Sequence, residues 1–206
     1  MNQSNDLPPM TDEEVLDEFR AADALLEGHF VLSSGLHSKH YLQCARIMMD
    51  PRRSEKLCKA LIAKIHIEPD IQLDKLTRFV SPAMGGILVG YEMGRQTGIS
   101  SVFLERVEGN LKLRRGFDIP KGGNCLIVED IITTGKSAKE TITAVEELGG
   151  NVVGVACLID RSGGAAKFGV KFVPLAEFFV ETHRPDALPP ELKAIEPVRP
   201  GSRGLA

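Results

Sequence analysis

The stretch VEDIITTGKS, Val128 to Ser137, sets two adjacent carboxylates, Glu129 and Asp130, ahead of two threonines, a glycine, a lysine and a serine. Its last letters match the end of the nucleotide-binding pattern G-x-x-x-x-G-K-[ST], but Asp130 stands where the first glycine belongs. That pattern wraps backbone N–H groups around a triphosphate, and a carboxylate at its mouth would repel such a ligand. The acids therefore call for a different one. An apolar run over residues 125–128 and a helical pattern from about Ala138 predict a strand, a loop and a helix in succession. Thr133, Thr134, Gly135, Lys136 and Ser137 would then supply hydroxyls, a glycine able to turn sharply, and the free N–H groups of a helix start, a place for one phosphate. Glu129 and Asp130 would face the adjoining part of the same ligand, where carboxylates accept hydrogen bonds from vicinal hydroxyls. A phosphorylated ribose carries both features. A solvated turn is the competing reading of so short a motif.

The elements that must position these groups can be read outward from them. Thr11-Asp-Glu-Glu14 forms a capping box, and Val15, Leu16, Phe19, Ala22 and Leu26 follow at helical spacing, which predicts an amphipathic helix stopped by Gly28. The stretch HFVLSSGLHSKHYLQC, residues 29–44, reads as a hairpin, and Asp50-Pro51 opens a helix with Leu57, Leu61, Ile62 and Ile65 on its apolar face. From about Arg78, short apolar runs alternate with helices, the signature of a parallel sheet with crossover connections. RFV leads to SPAMGG and a helix over 87–97; SVFLE to the polar RVEGNLKLRRG; CLIV to the acids and a helix over 138–148; VVGVACLI to DRSGG. Ligands of open α/β sheets bind beyond the carboxyl ends of the strands, so these segments should share one site. The Pro-rich end, residues 181–206, reads as an extended tail packed over a single domain, with 1–50 as helix and hood and 51–180 as the α/β core.

Composition narrows the function classes. The 206 residues carry 25 Lys and Arg against 28 Asp and Glu, a net charge of −3, which leaves no basic field to hold nucleic acid or an anionic membrane. Neither a leader pattern at the start nor a membrane-length apolar run is present, and a cytoplasmic protein is expected. Cys44, Cys58, Cys125 and Cys157 form no C-x-x-C pair and are expected to be buried reduced thiols, with no protein-built metal site.

Val128–Ser137 resembles the phosphoribosyl-diphosphate signature of type I phosphoribosyltransferases: an apolar strand, two acids, two further apolar residues, then Thr-x-Gly and a small hydroxyl residue. FVLSSGLHSKHY is similar to the F-x-L-x-S-G-x-x-S-x-x-[YF] segment of the orotate phosphoribosyltransferase family within that class. SPAMGGILVGYEMGRQTG resembles its [GS]-P-A-x-x-G-I segment, LIDRSGG its L-x-D-R segment, and PGSR a tail found in one bacterial branch. The resemblance implies an open, mainly parallel sheet flanked by helices with a small N-terminal hood. It implies phosphoribosyl-diphosphate binding by Glu129, Asp130, Ile131, Ile132, Thr133, Thr134, Gly135, Lys136 and Ser137, and orotate contacts from Thr133, Arg161 and the aromatic Tyr41. Ala83, Met84 and Gly85 take the place of its diphosphate loop. An exposed loop charge is the competing reading of Arg161, although the planar guanidinium fork suits the carboxylate of orotate.

The chain also departs from the family. Many members carry a mobile loop R-K-x-x-K-x-H-G, where LERVEGNLKLRRG stands here without a histidine. Only Arg106, Lys112, Arg114 and Arg115 can take over its cationic role, and Arg106 and Lys112 join Asp130 as the expected catalytic residues. The same KLRR also fits an edge strand kept soluble by charge. Ser33 replaces a frequent lysine, and Met84-Gly85 a frequent Tyr-Lys. The resemblance further implies Mg²⁺ as cofactor, orotate and phosphoribosyl diphosphate as substrates in pyrimidine nucleotide synthesis, and a homodimer whose loop closes over the neighbouring site. The rival readings are transfer to another base and a regulator that senses the sugar diphosphate.

Overall fold

The computed structural model describes residues 10–32 and 34–200; Ser33 and the part of the PGSR match from Gly201 onward lie outside them. The chain begins as its capping box dictates. Thr11 Oγ1 accepts the N–H of Glu14, Glu14 returns its carboxylate to the N–H of Thr11 at 2.8 Å, and α1 runs over Asp12–Ala21. It stops earlier than Gly28. Asp23 turns left-handed at φ 50°, Ala24 N–H reaches Phe19 O and Asp23 N–H reaches Arg20 O, the paired closing bonds of a Schellman cap. Leu26 and Gly28 therefore lie in strand β1, Leu25–Val31, which pairs antiparallel with β2, His37–Leu42, as the hairpin reading requires.

A short helix not legible in the sequence, α2 over Cys44–Met48, leads to α3, Pro51–His66. Asp50 Oδ1 caps α3 by accepting the N–H groups of Arg52 and Arg53, and Leu57, Leu61 and Ile65 are buried along it. Then come β3 (Leu76–Pro82), α4 (Gly85–Thr97), β4 (Ser101–Val107), β5 (Asn110–Leu113), β6 (Asn124–Ile132), α5 (Lys136–Glu147), β7 (Asn151–Asp160) and β8 (Lys171–Glu177).

Six of these strands form one sheet in the order β5-β4-β3-β6-β7-β8, all parallel but for β5. Alternate residues of the central strands feed two cores. Leu126, Val128, Ala156 and Leu158 pack toward α3 and α4, while Cys125, Ile127, Val155 and Cys157 pack toward α5. A sheet covered on both faces explains why CLIV and VVGVACLI read as continuous apolar runs. All four cysteines are free and buried, as expected, and burial pushes the thiol of Cys58 up to about 12.

The tail is more structured than an extended strap. Strand β9, Thr182–His183, joins β2 to complete a three-stranded hood sheet, α6 covers Pro190–Lys193, and Val198 exchanges backbone hydrogen bonds with His29 and Val31 of β1.

Candidate active site

The sheet reverses its winding between β3 and β6. From β3 the chain moves outward to β4 and β5, then returns to lay β6, β7 and β8 on the other side. A crevice opens where crossovers leave in opposite directions, and here it lies between the carboxyl ends of β3 and β6. Those ends carry Ala83-Met84-Gly85 and Glu129-Asp130.

The two segments touch. A Cβ added to Gly85 would land on the carboxylate of Asp130, so the loop after β3 can pass this close only with a glycine. The Ala83–Met84 peptide is cis, Ala83 N–H bonds to Leu104 O at 2.8 Å, and the Met84 side chain is exposed. Asp130 Oδ1 accepts the N–H of Ile131 at 2.9 Å. Burial pushes the carboxyl of Asp130 up, against the pull of that N–H. Glu129 is buried beside it, with its acid raised to about 8 by burial first and the charge of Asp130 second. Two neighbouring acids, Glu129 buried and Asp130 half-buried, await a partner that supplies hydrogen-bond donors or positive charge.

Strand β6 is longer than the apolar run suggests, and Glu129 through Ile132 are strand residues paired with β7. Ile132 is buried in the core and its carbonyl accepts the N–H of Arg161 at 2.7 Å, so its part in the segment is structural. Beyond it Thr133 and Thr134 are exposed, and Gly135 adopts φ 71° as the residue that caps α5. A side chain at Gly135 would strike Phe168 and Ala166. The helix begins at Lys136, two residues before the sequence suggests, and Thr134 Oγ1 accepts the Lys136 N–H at 3.4 Å. No acid lies in the first turn of this twelve-residue helix, so its N-terminal dipole and free N–H groups suit an anion.

On the far side of β6, Arg161 follows β7. Its Nε is buried and has no hydrogen-bond partner among the described residues. Burial pulls the guanidinium down, while the phenol oxygen of Tyr41, from the hood, acts the other way. Of the three expected base contacts, Arg161 and Tyr41, from distant parts of the chain, thus lie within electrostatic reach of each other, while Thr133 stands exposed at the end of β6. Two hood residues that sequence reasoning passed over stand with Arg161 and Tyr41. His40 packs edge-on to Phe178 at 5.4 Å and lies within electrostatic reach of Arg161, and Gln43 Oε1 accepts the Tyr41 hydroxyl at 3.1 Å. For Gln43 the signal available was period two continued from β2, which puts Lys39, Tyr41 and Gln43 on one face; His40 falls on the other, and no such signal marked it.

The cationic segment is not an open loop. Val107 pairs with Asn110 across Glu108 and Gly109, both at positive φ, a two-residue turn that makes β4 and β5 a tight hairpin. Strand β5 is the edge strand that the charge of KLRR also fitted. Arg106 pairs with Glu140 of α5, Arg115 with Glu105, and Lys112 is exposed. None of these cations contacts Asp130 in this conformation. The described residues contain no group of three or more His, Cys, Asp or Glu side chains able to hold a metal, and no helix long and apolar enough to cross a membrane.

Comparison with known proteins agrees with this layout. Residues 49–183 match the family described as "Phosphoribosyl transferase domain". The chain is 55% identical to an orotate phosphoribosyltransferase of Rhizorhabdus wittichii over 94% of its own length and 97% of the relative's. It is 53% identical to that of Maricaulis maris over 96% and 100%. Among solved structures, orotate phosphoribosyltransferase from Aeropyrum pernix shares the fold at TM-score 0.69 and 24% identity, covering 80% of this chain and 93% of that one. The Mycobacterium tuberculosis orotate phosphoribosyltransferase in complex with 5-phospho-alpha-D-ribosyl 1-diphosphate superposes at TM-score 0.59 and 19% identity, covering 80% and 88%. With acids at the switch point, a helix start for phosphate beside them and a full-length match, the chain belongs to the type I phosphoribosyltransferases, in the orotate phosphoribosyltransferase family.

Proposed function

We propose that this enzyme transfers ribose 5-phosphate from 5-phospho-α-D-ribose 1-diphosphate to orotate, giving orotidine 5′-phosphate and diphosphate on the route to pyrimidine nucleotides. The observation that carries the reading is Arg161. A guanidinium whose Nε has no hydrogen-bond partner among the described residues, within electrostatic reach of Tyr41, is a ready partner for a planar anion, and orotate is a pyrimidine carboxylate. The names of the full-length relatives support the same acceptor.

The chemistry follows from charge. The bond from ribose C1 to the diphosphate oxygen breaks as N1 of orotate forms the new bond to C1 from the opposite face, and the N1 proton passes to water or to the departing diphosphate. No protein nucleophile takes part. Thr133–Ser137 and the start of α5 hold the 5-phosphate, and Glu129 and Asp130 accept the ribose hydroxyls. Asp130 also faces the positive charge that develops on the ring. Residues 83–85 lie where the diphosphate would leave. Mg²⁺ would fit as an ion that arrives with substrate: among the described residues the crevice offers the acids Glu129 and Asp130 and no protein cage, which suits a hard cation that keeps its waters and binds phosphates. When bound it would neutralise charge on the leaving group.

We take the working form to be a homodimer in which the β4–β5 hairpin serves the neighbouring site. Met84, the residue before α4, and Leu88 and Tyr91 on α4 make an exposed apolar stripe at helical spacing that begins in the diphosphate loop, which supports a second copy packing there. The substrates carry several negative charges and cannot cross a bilayer unaided, which supports a cytoplasmic site of action. Arg161→Ala tests the base assignment. The KM for orotate should rise at least about tenfold while that for the sugar diphosphate stays within about threefold, since only orotate loses its carboxylate partner. An equal rise for both would assign Arg161 to the sheet's integrity instead.

A further inference from the structure

Gln43 follows β2 directly, and its backbone is fixed from both sides. Its N–H bonds to Ala24 O at 2.8 Å, and its carbonyl accepts the N–H of Arg46 at 3.0 Å as α2 begins. As the residue that caps α2 it makes no side-chain capping bond. The side chain turns to Tyr41, whose hydroxyl donates to Oε1 at 3.1 Å. Once the oxygen is held, the orientation of the amide plane is set and Nε2 presents two N–H donors. Those donors have no partner among the described residues, although the side chain is half-buried.

Its surroundings place this donor pair. Tyr41 bears on Arg161, at the end of β7, and Cys44, the next residue after Gln43, lies within electrostatic reach of Asp130, at the end of β6. Through its hydrogen bond to Tyr41, the Gln43 amide stands on the side of the site that takes the base. The ring edge of a pyrimidine such as orotate, away from its carboxylate, carries carbonyl oxygens that accept hydrogen bonds.

We propose that Gln43 is a specificity-determining residue, whose amide N–H groups hold a ring carbonyl of the pyrimidine while Tyr41 fixes the direction in which the amide points. The assignment rests on the orotate reading and sharpens it. Arg161 selects for the carboxylate and Gln43 for the ring carbonyl. A site built to donate to a carbonyl discriminates strongly, because a base lacking it leaves buried donors unpaired.

Steady-state kinetics on wild type, Gln43→Ala, Gln43→Glu, Tyr41→Phe and the Tyr41→Phe/Gln43→Ala double variant test it. Wild-type turnover of orotate comes first, and its absence would remove the orotate reading itself. Given that turnover, Gln43→Ala should raise the orotate KM roughly tenfold, with the sugar-diphosphate KM unchanged within about threefold, the loss of one directed hydrogen bond. Gln43→Glu, almost the same shape, should be worse than Ala at neutral pH, because it presents an anion to the carbonyl. If Tyr41 acts through Gln43, the double variant should bind orotate no worse than Gln43→Ala, whereas independent roles would add. An unaltered sugar-diphosphate KM also reports that each variant is folded. The proposal is overturned by an unchanged orotate KM in Gln43→Ala, by parallel rises for both substrates, or by additivity in the double variant.

Discussion

Asp130 is where charge and geometry meet. It lies against Gly85, is pushed toward neutrality by burial, and is steadied by the N–H of Ile131. Asp130→Asn keeps the shape and removes the charge that, in the proposed reaction, would face the ribose hydroxyls and the developing cation. Turnover should fall at least about tenfold, or ~1.4 kcal/mol, with the melting temperature little changed. Wild-type turnover in this variant would remove Asp130 from the reaction. Glu129 makes a separate prediction in pH. Its folded value, about 8, lies above the ordinary 4.5, so the native state holds a proton that the unfolded chain has already released. The contribution is full below about 4.5 and is lost as pH rises toward 8. In the ligand-free protein, the melting temperature of wild type should therefore fall relative to that of Glu129→Gln between pH 5 and pH 8. Parallel curves for the two proteins would contradict a buried, neutral Glu129.

At the scale of elements, the site depends on how closely the loop after β3 approaches β6. Gly85→Ala should lower kcat/KM by at least about tenfold, because the methyl group displaces the Asp130 carboxylate, while the melting temperature changes little, since only the end of that side chain must give way. Unaltered kinetics would show that the approach is incidental. The central strands, the hood hairpin and the cap at Asp50 were legible in the sequence because each has a local cause, an apolar run, a turn or a capping side chain. The elements that were not legible have causes the sequence states weakly. Asp23 ends α1 in a left-handed conformation that glycine usually marks. Glu108-Gly109 makes a hairpin turn with a glutamate where asparagine or aspartate is customary. KFVPLAE forms β8 around Pro174, and a strand containing proline is tolerated because β8 lies at the sheet edge. Of the site, the acids and the phosphate loop sit in one contiguous motif and could be read directly. The meeting of Tyr41, Gln43 and Arg161 is set by tertiary packing, so only the family resemblance pointed to part of it.

Across the whole molecule, the proposed dimer requires the cations of the β4–β5 hairpin to reach the diphosphate of the neighbouring site. Arg106 is paired with Glu140, but both side chains are partly exposed, and such pairs are worth only about 0–1 kcal/mol. A diphosphate bound by the neighbouring subunit offers more charge and more acceptors, so the pair should open for it. Changing Arg106, Lys112, Arg114 and Arg115 together to Ala should inactivate the enzyme, as should Asp130→Ala alone. When these two inactive proteins are mixed and reassociated, about half the dimers are hybrids, and each hybrid has one site with a sound Asp130 and a sound hairpin from its partner. Activity should return to roughly a quarter of wild type, since one of the two sites in each hybrid works. No recovery, with hybrids shown to form, would assign the hairpin to its own subunit's site. The central claim has a still more direct test. Wild-type protein is mixed with orotate, 5-phospho-α-D-ribose 1-diphosphate and Mg²⁺, and the absorbance of orotate is followed with time. The account predicts that the absorbance falls and that one diphosphate appears for each orotate consumed. Steady absorbance with folded protein and intact substrates would contradict it.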